Sequence, residues 1–333
     1  MSRIGKGERP TMERVAALAG VSKITVSRAL RGSDLVRPEV RERIAEVAKQ
    51  VGYRMNVAAR SLRTRETRTI AVVIDHRDPD HQSHTDPLIL AIIGGLLEAL
   101  TPAGYSILLT TNDHFLSSNA VGADGAVMLG QGEGAQRVTE VAAMNLPIVA
   151  WGEPVPGVGI KVVGSDNRMG GKLAAEHLVA RGASRLLFLG DMQHPEIAAR
   201  LEGFREALAA SEARLVGALP CPFTPEGAAD VVRRALDDGT AFDAIFAASD
   251  FIAAGACDAL LAHGTRVPGD VAIVGFDDAP IASVHRPSIS SIRQDGAAAG
   301  RTLGAAIVAL IEGNTGTTAH ALPVELVARE TSR

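Results

Sequence analysis

Two hydrophobic rhythms divide the chain near residue 69. Before it, apolar residues recur at helical spacing in short runs between caps and stops. Thr11 can cap a helix over Met12–Ala19, with Glu13 in its first turn and Gly20 as the stop. Ser22 can cap a second helix, Lys23–Leu30, ended by Gly32. The break between them is a few residues with a glycine, the turn that sets two helices at a steep angle. Val15, Leu18, Val21, Val26, Ala29 and Leu30 fall at spacings that form one shared core. A third helix starts at Pro38 and stops at Gly52, with Val40, Ile44, Val47 and Val51 as its buried stripe. Asn56 can cap a further one to two turns, 57–62, followed by the charged linker 63–68.

From Thr69 the rhythm changes to short solid apolar runs alternating with longer helical patterns. TIAVVID, YSILLT, GAVMLG, PIVAWG, VVGSD, RLLFLGD, AIFAASD, VAIVGFDD and ISSIRQD read as strands. LILAIIGGLLEAL, GGKLAAEHLVARG, ARLEGFREALAA, PEGAADVVRRALDDG, FIAAGACDALLAHG and AAAGRTLGAAIVALIEG read as helices. Repeated strand–helix–strand units predict parallel sheets covered by helices on both faces. The 265 residues of 69–333 approach the limit for one core, so two lobes are expected. Ligands in such sheets bind beyond the carboxyl ends of the strands.

Charge sharpens this division. The net charge of −4 hides an asymmetry: residues 1–68 carry 16 Lys and Arg against 7 Asp and Glu, and the remainder carries 18 against 31. A basic head on an acidic body points to an anionic partner for the head alone. On the second helix, Ser22, Lys23, Ile24, Thr25, Ser27 and Arg28 face outward, and hydroxyls with one Lys and one Arg suit phosphates and base edges. Residues 1–10 lack periodicity and read as a disordered tail without the apolar core of a signal peptide. The longest apolar run, 88–97, is too short to span a bilayer, and two cysteines make no disulfide framework. A cytoplasmic protein with no membrane partner is expected.

The segments TMERVAALAGVSKITVSRAL, VRERIAEVAKQVGYRMNVAARSL, VGSDN, ARLEGFREAL and IVGFDD together resemble the LacI/GalR family of transcription regulators, over nearly the whole chain after residue 10. The resemblance implies a helix-turn-helix head at 11–54, a hinge helix and linker at 55–68, and a periplasmic-binding-protein-like core of two parallel-sheet lobes. Lobe one would comprise about 69–165 and 296–323, and lobe two about 166–295 and 324–333, with the chain crossing near Asp166, Asp295 and Pro323. It makes Lys23, Ile24 and Arg28 readers of base edges, and Ser22, Thr25 and Ser27 phosphate contacts. Asn56, Ala58 and Ala59 would face the minor groove and a second hinge helix, with Leu62 as the wedge between base pairs. Between YSILLT and DGAVML the family has room for a whole helix, whereas NDHFLSSNAVGA offers a turn or so.

The implied ligand is a sugar-like effector between the lobes. Arg200 and Asp277 match the family's effector contacts. Asp250 matches a common Asp, beside Ser249 where several relatives have Asn. Arg offers a planar fork of donors and carboxylates accept hydroxyl hydrogens, a combination suited to a polyol. Trp151, Phe223 and Phe276 are stacking candidates, and Ser83 and Asp86 are hydroxyl partners. The expected assembly is a homodimer on a pseudo-palindromic operator, with helix 88–100 contributing to the dimer face because its Ile and Leu content exceeds one buried stripe. Two other chemistries are formally available. His76, His81 and His84 with Asp75, Asp78, Asp80 and Asp86 could ligate a metal, but a polar loop is the simpler reading. Gly130, Gly132 and Ala135 match a dinucleotide turn, but short glycine-rich turns are common. No cofactor is expected. An enzyme acting on a sugar or nucleotide in the cleft is the alternative, although no nucleophile–base pair is legible.

Overall fold

The structure, a computed structural model, describes residues 10–30, 33–53, 66–74, 86–117, 122–130, 136–144, 146–154, 157–314 and 320–333. The chain divides into two compact units, 1–67 and 68–333.

The first unit holds α1 (Met12–Ala19), α2 (Lys23–Ala29) and α3 (Pro38–Gln50). Thr11 Oγ1 accepts from Arg14 N, and Gly20 closes α1 at φ +66°, a left-handed turn that an L side chain enters only under strain. Ser22 Oγ accepts from Thr25 N at 3.1 Å and starts α2. Val15, Ala16, Ala19, Val26, Ala29, Val36, Ile44 and Ala48 form the buried core, with Val21, Leu30, Val40, Val47 and Val51 packed around it. Leu18 departs from expectation, at 59% exposed. Helical spacing placed it on the core side, but the contact surface of an eight-residue helix is narrower than its apolar stripe. Leu30 caps α2 rather than extending it.

The second unit is built on two six-stranded sheets. The first comprises β1 (Thr69–Ile74), β2 (Ser106–Thr111), β3 (Gly125–Leu129), β4 (Ile148–Trp151), β5 (Lys161–Ser165) and β11 (His320–Leu322), in the order β11-β5-β4-β3-β1-β2, with every pairing parallel. The second comprises β6 (Arg185–Leu189), β7 (Arg214–Leu219), β8 (Ala244–Ala247), β9 (Ala272–Asp277), β10 (Ser290–Arg293) and β12 (Glu325–Val327), in the order β12-β10-β9-β8-β6-β7. It is parallel except at β10–β12. Each sheet thus repeats one strand order, and each reverses it at one point, β1/β3 and β6/β8.

Nine α-helices occur among the described residues of this unit, besides a 3-10 turn at Glu330–Ser332. They are α4 (Pro87–Leu100), α5 (Asn112–Leu116), α6 (Gln136–Ala142), α7 (Asn167–Ala180), α8 (Pro195–Ala209), α9 (Pro225–Asp237), α10 (Asp250–Ala262), α11 (Pro280–Val284) and α12 (Gly296–Ile311). The chain leaves the first sheet after Ser165, returns after Arg293 into α12, which packs on α4, and crosses again between Leu322 and Glu325. Asp166 and Asp295, at two of these crossings, cap the following helices by accepting from Met169 N at 2.9 Å and Ala298 N at 2.8 Å. The expected shortening before β3 is present as the five-residue α5. The strand β7 and the helix α6 carry no clean periodicity and were not anticipated; β11 and β12 are three residues each and exist only as edge pairings.

Helix α7 begins at Asn167, three residues before the glycine pair from which it was expected to start. Gly170 and Gly171 lower helix propensity, yet packing decides here. A methyl group on Gly171 would strike the Arg200 carbonyl, and one on Gly203 would strike the Arg168 carbonyl. This close approach of α7 and α8 brings Arg200 alongside Asn167.

Candidate functional site

In the first unit the outward side chains of α2 stand as the pattern required. Lys23, Ile24 and Arg28 are exposed, Ile24 at 65%, while Thr25 and Ser27 are partly covered. Ser22 is both cap and surface residue: its hydroxyl bonds Thr25 N and lies 2.8 Å from the Thr25 hydroxyl. Lys23 pairs with Glu13 of α1 at the surface, an ion pair that a phosphate can replace at little cost, because exposed pairs contribute about 0–1 kcal/mol. Asn56, Ala58, Ala59 and Leu62 lie outside the described residues.

In the second unit the polar side chains gather where the strands end. Arg200, in α8, is 5% exposed. Its Nε donates to Asn167 Oδ1 at 2.8 Å, its Nη1 donates to the Ala248 carbonyl at 2.6 Å, and its guanidinium lies 3.6 Å from the Phe276 ring centroid. Asn167 donates in turn to Glu153 Oε1 at 2.7 Å, so a hydrogen-bonded chain runs from the loop after β4 in the first sheet to the strand ends of the second. Glu153 and Asn167 were not recognised as site residues. VGSDN carried the signal, but nothing local shows which side chain the Asn holds.

Asp277 ends β9 at φ +102° and Asp278 follows at φ +54°. Such backbone costs of the order of 1–3 kcal/mol per residue and persists only where surroundings hold it. Here Asp278 accepts from Arg293 Nε at 2.7 Å and Arg329 Nη2 at 2.5 Å, and its amide donates to Ser291 Oγ at 3.0 Å. Asp277 itself accepts from Gln294 Nε2 at 2.5 Å. Burial pushes its carboxyl up to about 7, although the Arg200 guanidinium acts the other way. Burial also raises the Glu153 carboxyl, and it lowers Arg200 against the pull of Asp277, Glu196, Glu153 and Asp250.

The remaining candidates divide. Asp86 is buried and caps α4, accepting from Leu88 N at 2.8 Å, and its field reaches Asp277 across the cleft. Trp151 is half-buried at the end of β4. Phe223 is partly buried, edge-on to His194 at 5.9 Å. Two residues lie deeper than expected. Phe276 is fully buried and forms the floor under Arg200, leaving no face for a sugar ring. Asp250 is fully buried beneath the 277–279 turn, where its Oδ2 accepts from Ala279 N at 2.7 Å. Whether such a residue lines a site or supports it depends on side-chain direction, which sequence spacing does not specify. Ser83 lies outside the described residues, as do His76, His81, His84, Asp75, Asp78 and Asp80 of the metal reading and Gly132 and Ala135 of the dinucleotide reading. Among the described residues no group of three His, Cys, Asp or Glu side chains is arranged to hold a metal, and no helix is long and apolar enough to cross a membrane.

An exposed basic helix in a three-helix unit, joined in one chain to a two-sheet core with a polar cleft, defines a class: DNA-binding regulators with a two-lobed core. The model for bacterial regulatory proteins of the lacI family matches residues 11–56, and that for the periplasmic binding protein-like domain matches residues 175–332. The HTH-type transcriptional regulator CelR of Thermobifida fusca is 34% identical over 319 residues, covering 92% of this chain and 93% of CelR. The HTH-type transcriptional regulator GntR of Pseudomonas aeruginosa is 32% identical over 339 residues, 97% of this chain and 96% of GntR. Among solved structures, a CelR–cellobiose complex superposes with a TM-score of 0.71 at 31% identity, covering 97% of this chain and all of that one. A lac repressor dimer bound to operator and an anti-inducer shares the fold at a TM-score of 0.86 and 23% identity, over 98% and 99% of the two chains. The chain belongs to the lacI family of bacterial regulatory proteins. It is a DNA-binding transcription regulator and not an enzyme.

Proposed function

We propose that this protein is a cytoplasmic repressor of carbohydrate-utilisation genes whose operator affinity is set by a sugar or sugar derivative bound between the two lobes. The observation that carries the reading is the buried Arg200, which reaches the end of β8 through the Ala248 carbonyl, together with Asp277 at the end of the adjacent β9: a guanidinium donor and a carboxylate acceptor whose charges act on one another. Sugars present vicinal hydroxyls that donate and accept at once, and each charge-assisted bond is worth about 1.5–3 kcal/mol. The relatives support it: one is solved with cellobiose, and others are ribose operon repressors. Lys23, Ile24 and Arg28 read base edges in the major groove, Ser22, Thr25 and Ser27 hold phosphates, and Asn56, Ala58, Ala59 and Leu62 act in the minor groove. Trp151, Phe223, Ser83 and Asp86 complete the effector's surroundings around Arg200 and Asp277, with Asp250 and Phe276 supporting them from below. The protein acts as a homodimer on a pseudo-palindromic operator. Helix α4 suits the dimer face, since Leu90 and Leu97 are half-exposed opposite the stripe of Ile89, Ile92, Leu96 and Leu100.

The test is a mobility-shift titration of a palindromic operator with and without a panel of sugars including cellobiose. A change in operator affinity of tenfold or more with one of them supports the reading; no change with any removes the sugar effector.

A further inference from the structure

The cleft also carries information about the charge of what it binds. Arg200 is the single buried arginine among the described residues, and it is already half-committed to Asn167 and the Ala248 carbonyl. Four carboxyl groups act on it: Asp277, Glu196, Glu153 and Asp250. A fifth, Asp86, acts on Asp277 from the first lobe. The other described arginines beside these strand ends are held by acids of their own. Arg168 pairs with Glu202 and Glu206, Arg293 with Asp278 and Glu325, and Arg329 with Asp278.

A second observation is independent of the side-chain field. In parallel α/β sheets an anionic ligand is usually received by helix N-termini at the strand ends, where free N–H groups and the helix dipole favour negative charge. Here each of the termini named below already carries one of the protein's own carboxylates, three at the cap and two in the first turn. Asp86 caps α4, Asp166 caps α7 and Asp295 caps α12. Helix α10 is capped by Ser249, with Asp250 as its first residue, and α8, whose His194 cap makes no side-chain bond, carries Glu196 in its first turn.

Resting on the reading that this cleft receives a sugar, we propose that it selects an uncharged polyhydroxylated ligand and discriminates against sugars bearing a phosphate or a carboxylate. Asp277 and Glu153 accept hydroxyl hydrogens, Arg200 donates to a ring or hydroxyl oxygen, and an anion meets a field with one partly committed cation and helix N-termini that each already carry a carboxylate at the cap or in the first turn. Calorimetry on the full-length protein with matched pairs tests this: cellobiose against cellobionic acid, and glucose, ribose and xylose against their 6- or 5-phosphates. The neutral member of each binding pair is expected to bind at least about tenfold more tightly, with the ratio growing as salt is lowered because screening weakens. Glu196→Gln, which removes one of the opposing charges, should narrow the ratio by about threefold to tenfold, the size of one unit charge several ångströms away at intermediate dielectric. A phosphorylated or acidic sugar that binds more tightly than its neutral parent overturns the charge selection while leaving the sugar reading in place. Binding of neither class overturns the sugar reading and this proposal together.

Discussion

Arg28 and Arg200 set the two regions of this protein side by side. Arg28 stands in solvent on α2, in a unit whose core is eight small or medium apolar residues and whose helices depend on caps. Arg200 is enclosed, stacked on Phe276 and bonded on two sides. The contrast follows from the partners. A polyanion surface is recognised by exposed side chains whose charge acts through displaced counterions, and little prior order is needed. A small hydroxylated ligand offers only a few bonds, so the groups that meet it must be desolvated and held in place beforehand. The first arrangement costs the fold little. The second stores opposition in it, visible in the raised Asp277 and Glu153 carboxyls and in two consecutive left-handed aspartates.

Four substitutions break or sharpen this contrast. The largest effect belongs to Arg200→Ala. Removing a buried cation leaves Asn167, the Ala248 carbonyl and the facing acids uncompensated, so the core should lose about 3–5 kcal/mol and effector binding should vanish in calorimetry. Operator binding in a mobility shift should persist below the melting temperature, since no part of this network lies in the first unit; loss of operator binding in a folded variant would falsify the separation. Next, Arg28→Ala should lose about 1–3 kcal/mol of discrimination at one base pair while thermal stability moves by less than about 0.5 kcal/mol. Equal losses on operator and random DNA would show that Arg28 holds phosphate only.

The third is a matter of pH. The Asp277 carboxyl in the folded protein sits at about 7 against an ordinary 3.8, so its contribution to stability is full below about 4 and is lost as pH rises through 7. Asp277→Asn should therefore melt higher than the parent at pH 8, by an amount of the order of 1–3 kcal/mol, and the gap should close towards pH 4. The same variant should bind effector about tenfold to a hundredfold more weakly, since a neutral amide replaces a charge-assisted acceptor. A melting gap that does not change between pH 4 and 8 would sink the assignment. The smallest effect is at Ser22. Ser22→Ala removes the α2 cap and should cost about 1 kcal/mol, confined to the first unit and read as a small loss of operator affinity with the melting of the core unchanged.

Much of this was legible in the residues. Caps and stops are local: Thr11, Gly20, Ser22 and Pro38 mark the helices of the head because the groups they satisfy lie within four residues. The alternation after Thr69 marks buried parallel strands for the same reason, and the charge division is simple counting. The roles of Arg200 and Asp277 came from motif resemblance; in the structure Arg200 reaches from α8 to the Ala248 carbonyl after β8, and Asp277 ends the neighbouring β9. What stayed hidden is long-range. Whether a side chain faces the cleft or supports it depends on elements far away in sequence: Phe276 becomes a floor because Arg200 of α8 lies over its ring, and Asp250 becomes a support because its carboxylate holds the 279 amide.

The chain's own pattern thus determined the division into a basic helical head and an acidic α/β body, the order of most elements and, Leu18 apart, the buried faces of the head's short helices. Those properties arise from local backbone satisfaction and from the period of apolar residues, which act within a turn or a strand. Tertiary structure alone decided that glycines of α7 and α8 would let two backbones meet, that Asn167 would join Glu153 to Arg200, and that the charges of four acids would act on one guanidinium. Residues separated by more than a hundred positions become neighbours only when both sheets have formed, and their pKa shifts and strain exist only in the water-poor space created by that packing.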